Sequence, residues 1–499
     1  MLEKYLEQLA SYNEKVKNYN YCLNMIYWDM ETEKGFPSKG IEKMGKVIEF
    51  LSSEINSLMI SQETKEMIDY LFLNKEELSE IDKRQVELLL RNYERVSKIP
   101  VELISKYEGL KIKAQSVWVE AKGNNNFSMF APYLKELIEY NREFIKLLGY
   151  KGHPYNTLLE AGEYGMTVEK LDSFFEVLRS ELVPFAKETV KKFEKFDASF
   201  LERIIPLERQ KSFSNFLARY IGFDLDKGLI KESEHPFCMG IEPNNVRFTT
   251  HYYKDNFVSS MFSILHEGGH GIYEQNQDES LIGTLLQGGA SMGVHESQSR
   301  TYENIFGRNY YFLKGLYPNI QEVFPEFKDI SLEEFYKGIN KPENSLIRIE
   351  ADELTYSLHV MIRYEIEKMI FEGKIEIEDL PNLWNTKIKE YLGIDVPNDS
   401  QGILQDVHWA GGMFGYFPSY SLGNAYASQI IDELKKEIDI NSHLENGDFA
   451  PINLWLNEKI HKKGMTLDPN DLIKSVCGEE LNPIPFINYL KEKFGSIEI

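Results

Sequence analysis

Apolar positions at the start of the chain recur with a helical period. Leu2, Tyr5, Leu9, Tyr12, Val16, Tyr19, Leu23 and Ile26 alternate spacings of three and four, an a/d heptad stripe. The stripe predicts one long amphipathic helix with a single apolar seam. The seam ends early, so it is expected to pack against the rest of the same molecule rather than to form a free coiled coil. From Gly40 to Lys211 the sequence stays helix-like, with Leu-, Glu- and Lys-rich runs such as 82–95 and 132–148 punctuated at 98–100 and 149–154. Interspersed charges mark these runs as solvated helix faces. The pattern changes between His235 and Phe257. Residues 246–253 (VRFTTHYY) are β-branched and aromatic and predict a strand, with Gly240, Pro243 and Asn244-Asn245 forming a turn beside it. Helical periodicity resumes at Val258 and runs, with loop breaks, to the C-terminus. No internal repeat, low-complexity tract or Pro/Gly/Ser linker interrupts the chain. The expectation is one body spanning 1–499, mostly α, with a small β-element just before residue 258. Long helices fill it to about residue 234, and the chemistry-bearing motifs lie at about 235–425.

Charge narrows the partners. The 499 residues hold 56 Lys+Arg and 79 Asp+Glu, a net charge of −23 that repels polyanions, so neither nucleic acid nor an anionic membrane is an expected partner. Hydrophobic residues at 42% and aromatics at 13% exclude wholesale disorder. Cys22, Cys238 and Cys477 lie far apart, with no CxxC pair, which fits a reducing compartment. The first twenty residues carry a charge or amide every few positions and do not read as a signal peptide, and no run of 18 apolar residues occurs. A soluble, cytoplasmic protein is expected.

Five of the ten histidines fall between His235 and His295, and among them stands His266-Glu267-Gly268-Gly269-His270, an HExxH motif. On a helix its two histidines project from one face. Both can hold one Zn²⁺ while Glu267 reaches a water beside the ion. Gly268-Gly269 costs a helix about 1 kcal/mol per residue, so the pair needs a reason, such as close approach of another chain segment. A catalytic zinc usually takes three protein ligands. The HExxHxxGxxH pattern is absent because residue 276 is Asn. Glu296, 26 residues past His270 and beyond a Gly-rich loop, offers a carboxylate from a second helix. It could instead be a plain i,i+4 partner of Arg300.

Further pieces follow in order: HPF at 235–237, HESQS at 295–299, IRxxAD at 347–352 and GxxQDxHW at 402–409. Together with HEGGH they resemble the thermostable carboxypeptidase Taq family of zinc metallocarboxypeptidases along nearly the whole chain. One departure is Asn245 in Asn245-Val246-Arg247-Phe248-Thr249, where the family's DxRxT pattern has Asp. The resemblance implies a neurolysin-like, mostly α-helical fold with a deep cleft and a small sheet beside the HExxH helix, assembled as a homodimer. It implies removal of C-terminal amino acids from peptides with broad specificity. In that reading His266, His270 and Glu296 hold one Zn²⁺, with Co²⁺ an alternative, and Glu267 is the general base. His408, then Tyr420, are candidates for the oxyanion donor. Arg348 would receive the substrate carboxylate, although it could instead pair with Asp352 one helical turn on. Arg247 is a weaker carboxylate contact and His235 a cleft-wall residue. His295 is either a support for the neighbouring ligand or a helix cap. Two rival readings remain: a neurolysin-type oligoendopeptidase, and a non-catalytic peptide-binding protein on the same scaffold.

Overall fold

The heptad stripe forms one face of α1 (Leu2–Thr32). The computed structural model describes residues 1–33 and 38–499, and α1 is followed by α2 (Ser38–Met59), α3 (Gln62–Leu73) and α4 (Glu80–Ser97). Ser61 and Ser79 start α3 and α4 by accepting the backbone N–H of Thr64 and Asp82. Leu9 and Tyr12 of the stripe are buried against Met67, Ile68 and Leu71 of α3 and Val86 and Leu89 of α4. The seam therefore packs within the molecule, and the first helices have a small apolar core of their own. The main core is separate and runs from Tyr107 to Ile497.

The two helix-like runs lie in α4 and in the helix Phe127–Leu148, which begins ahead of Pro132 because Asn126 accepts the Ser128 N–H and caps it. The β-element has three strands: β1 (Gly228–Glu232), β2 (Cys238–Glu242) and β3 (Asn245–Thr250), in the order β1-β3-β2. β3 pairs parallel to β1 and antiparallel to β2. Two details differ from the sequence expectation. Gly240 lies inside β2 and Asn245 opens β3, so the turn itself is Pro243-Asn244. The strand stops at Thr250 rather than Tyr253, because the His251 ring turns back to the Ser233 carbonyl. Val246 and Phe248 are fully buried, and β3 lies against the helix Phe257–Gln275 that carries HExxH.

Between the small N-terminal core and the main body lies a cleft of about 1050 Å³. Tyr12 and Val16 of α1 and Arg84 and Arg91 of α4 line one wall; the HExxH residues and Tyr420 line the other. Arg84 and Arg91 both bind Asp468, which ties the two walls together at one end. Among the described residues, no helix is long and apolar enough to cross a membrane.

Candidate metal centre

Asn256 caps the HExxH helix by accepting the Ser259 N–H, and Met261, Ile264, Leu265 and Ile272 bury one side of it. That leaves His266, His270 and Glu274, at intervals of four, along a single other face. The second helix, Met292–Arg300, starts at Ser291, whose side chain accepts the Val294 N–H. There the buried Glu163 carboxyl also accepts the Gly293 N–H, satisfying a donor of the helix's first turn. A π-helical stretch, Thr301–Phe306, continues this helix and carries Glu303.

The reason for two glycines is helix spacing. A Cβ on Gly269 would stand 2.7 Å from the Gln298 carbonyl oxygen and 2.9 Å from Ser299 Cα, both backbone atoms of the second helix. At Gly268 only the tip of the Ile221 side chain intrudes. Gly269 thus brings the helix bearing Glu296 close enough to share a centre with the histidines. Gly269→Ala is expected to cost about 1–3 kcal/mol of stability through overpacking and to weaken metal binding, since the backbone that must retreat carries Glu296. Gly268→Ala should do much less. Thermal melts and metal titrations of the two variants check this, and equal effects would contradict the contact.

His266 Nε2 and His270 Nε2 stand 3.7 and 3.5 Å from Glu296 Oε2. Ligands on a tetrahedral ion with arms of about 2.0–2.2 Å are about 3.3–3.6 Å apart, so two imidazoles and one carboxylate fit a single divalent cation. Among the described residues these three form the one group of acidic, His or Cys side chains close enough to do so. Glu296 does pair with Arg300, its Oε1 accepting from Arg300 Nε at 2.7 Å, and its Oε2 remains turned to the histidines. On the far side, His266 Nδ1 meets Glu303 at 2.7 Å. His270 Nδ1 meets His295 Nδ1 at 2.6 Å, and His295 Nε2 meets Glu274 at 2.7 Å. His295 therefore stands between His270 and Glu274 and is not a helix cap. Burial would lower the His266 pKa, but Glu296, Glu303 and Glu267 outweigh it and raise it to about 9. This concentration of negative charge calls for a cation. Burial lowers His270 to about 4 and raises Glu267 to about 7.

Arg348 is 4% exposed and sits on a short 3₁₀ turn, not on an α-helix. It does not pair with Asp352, whose carboxylate caps the backbone N–H groups of Leu354 and Thr355. Its Nε and Nη2 instead donate to Asp406 Oδ1, and Nη1 donates to the Tyr356 hydroxyl. Arg363, fully buried, takes Asp406 Oδ2, and Gln405 Oε1 accepts from the Arg348 N–H and Arg363 Nη2. The QDxHW run is thus the lock of an arginine pair. Trp409 donates to the buried Glu367, which fixes the turn bearing His408. His408 is half-buried behind Tyr420, Nε2 to hydroxyl 3.3 Å, and burial lowers its pKa to about 4. The cleft wall there is Tyr416 and Tyr420. Arg247 donates to Asn245 Oδ1 at 2.8 Å, so Asn245 still supplies an acceptor where the family has Asp. His235 is exposed on the β1–β2 connection, and its neighbours Pro236 and Phe237 line the cleft.

Sequence reasoning did not single out Glu274, Glu303, Asp406 or Arg363. Glu274 was within reach as the third member of the i, i+4, i+8 face. Glu303 was too, three residues past Arg300. Asp406 and Arg363 meet only through the tertiary fold.

Comparison with known proteins extends the agreement. A sequence model described as Carboxypeptidase Taq (M32) metallopeptidase matches residues 8–494. "Carboxypeptidase 1" of Bacillus subtilis (strain 168) is 44% identical over 498 residues, covering 99% of both chains. "Thermostable carboxypeptidase 1" of Thermus thermophilus is 38% identical over 415 residues, 81% of each. The crystal structure of the M32 carboxypeptidase from Deinococcus radiodurans R1 superposes with a TM-score of 0.95 at 30% identity, covering 99% of each chain. A match of this length leaves almost no residue outside it, and this protein belongs to the carboxypeptidase Taq (M32) family of metallopeptidases.

Proposed function

We propose that this metallocarboxypeptidase holds one Zn²⁺ between His266 Nε2, His270 Nε2 and Glu296 Oε2, a donor set that Co²⁺ also accepts. When bound, the ion would lower the pKa of a water towards about 7 and polarise the scissile carbonyl. Glu267, facing the cleft between the two histidines, takes the water's proton and returns it to the leaving amine. The Tyr420 hydroxyl, on the cleft wall, donates to the oxyanion that develops on the carbonyl, with His408 orienting it from behind.

The observation that carries exopeptidase action is an arginine with free donors beside Tyr420. Arg348 and Arg363 both grip Asp406, and Arg363 also lies within electrostatic reach of the buried Glu367. Three of the five N–H groups of Arg348 are engaged, leaving two for a substrate carboxylate. Its guanidinium lies 4.9 Å from the Tyr420 ring. The Pro236-Phe237 wall near His235 would touch substrate further along the cleft, and Arg247 on β3 is the weaker carboxylate contact in this reading. A cytoplasmic location fits three unpaired cysteines, and homodimerisation is carried by the family resemblance. Peptides with a free C-terminus are the substrates in this reading.

The test is a mass-spectrometric time course on an unblocked peptide of about ten residues. A ladder shortening by one residue at a time from the C-terminus is expected; internal fragments without a ladder would indicate an oligoendopeptidase instead. Tyr420→Phe should lower kcat by about 10²-fold with little change in KM, and His408→Ala by less. The reverse order would return the donor role to His408.

A further inference from the structure

We propose that Tyr356 is a positioning residue that joins the metal centre to the carboxylate site, its ring seating Arg300 and its hydroxyl orienting Arg348. The role rests on the readings of Glu296 and Arg348 given above. Tyr356 opens the helix Tyr356–Phe371 and is 6% exposed. At its hydroxyl end stands Arg348. Nε and Nη2 of that arginine both donate to one oxygen, Asp406 Oδ1, at 3.1 and 2.8 Å. Two bonds to a single acceptor leave the guanidinium a pivot about that atom. The Tyr420 and Phe417 rings lie alongside, 4.9 and 5.6 Å from the guanidinium carbon, but accept no hydrogen bond from it. The Tyr356 hydroxyl accepts from Nη1 at 2.8 Å, and this third point stops the swing. One N–H on each Nη remains free, and the pair is thereby aimed in a fixed direction.

The ring holds the other arginine. The Arg300 guanidinium carbon lies over it, 4.4 Å from the centroid, a cation on an aromatic face. Arg300 in turn donates from Nε to Glu296 Oε1 at 2.7 Å and from Nη1 to Glu303 Oε2 at 3.2 Å. Tyr356 is itself held by Asp352. Its N–H donates to the Asp352 carbonyl at 2.9 Å, and the Asp352 carboxylate accepts from the Leu354 and Thr355 N–H groups and the Thr355 hydroxyl. Asp352 of the IRxxAD run thus has a task other than pairing with Arg348. It sets the start of the helix from which Tyr356 and, two turns on, Arg363 reach the same cluster. The Tyr420 ring meets that of Tyr356 edge-on, with centroids 6.1 Å apart. Arg300, Arg348 and Tyr420, from three separate segments, therefore meet on one side chain.

The test divides the side chain between Tyr356→Phe, which removes the hydroxyl and keeps the ring, and Tyr356→Leu, which removes both. Matched peptides with free and amidated C-termini give KM and kcat, competition with a chromophoric chelator gives Zn²⁺ affinity, and thermal melting gives stability. Tyr356→Phe should raise KM for free C-termini by about 10-fold, the effect of losing a hydrogen bond to a charged group. KM for the amidated peptides should rise far less, and Zn²⁺ affinity should stay near the wild type. Tyr356→Leu should add a loss of Zn²⁺ affinity of about 10-fold, because the arginine that supports Glu296 loses its seat. A wild-type preference for free C-termini that Tyr356→Phe leaves intact would overturn the joint. So would Zn²⁺ binding weakened equally by both variants or by neither, and so would a lower melting temperature with KM and Zn²⁺ affinity unmoved. A wild-type enzyme indifferent to amidation, or one that took up no Zn²⁺, would instead overturn the reading of Arg348 or of Glu296 on which the joint rests.

Discussion

Glu267→Gln is expected to lower kcat by about 10³- to 10⁴-fold while the protein still binds one metal ion per chain. The magnitude is that of a positioned general base removed from the reacting proton. Glu267 is 7% exposed, lies on the same helical turn as both histidines and lines the cleft. It has no hydrogen-bonding side chain facing it among the described residues, so its carboxylate is free to meet water. Glutamine preserves the shape and removes the basic oxygen. Metal retention follows from the supports of the ligands: His266 is held by Glu303, His270 by His295 and Glu296 by Arg300, and none of the three depends on Glu267. Kinetics together with elemental analysis of the purified variant give both numbers. Loss of the ion along with activity would show that Glu267 serves the centre's structure instead.

Arg348→Met is expected to lower kcat/KM by about 10²- to 10³-fold for peptides with a free C-terminus and far less for the same peptides amidated. A charge-assisted, partly desolvated contact to a carboxylate accounts for a loss of that order. The fold should tolerate the change, because Asp406 keeps Arg363 at 2.6–2.7 Å. Arg363→Met is the control. It removes a fully buried partner of Asp406 and should lower stability without altering the preference for a free carboxylate. Equal losses of Arg348→Met on free and amidated peptides would end the carboxylate assignment.

What the sequence made legible follows from how local each signal was. The α1 seam, the punctuated helices and β3 are periodicities within one element, and each was found close to its observed position. The cluster of His266, His270 and Glu296 was legible because HExxH is a helical spacing and Glu296 sits in a motif of its own. β1 was missed because its pairing with β3 is parallel and non-local, and five residues containing only Leu229 and Ile230 as strong apolar positions carry little signal. Arg348 shows the opposite failure. Its spacing to Asp352 suggested a helical pair, but the segment turns as a 3₁₀ piece and Asp352 caps the next helix. The arginine's real partner lies 58 residues on, a distance at which no pattern of apolar and polar positions gives notice.

The trio of Arg348, Arg363 and Asp406 has a further consequence for how the landscape of this chain is shaped. Natural sequences minimise conflict between neighbouring choices, and departures cluster where a protein acts. Here two desolvated cations share the Asp406 carboxylate beside a wall of Tyr356, Phe417 and Tyr420 rings. In the reading proposed above, an incoming carboxylate would meet the donors of Arg348 that this cluster leaves free. Recognition of a chain end would in that reading be the completion of an unfinished core.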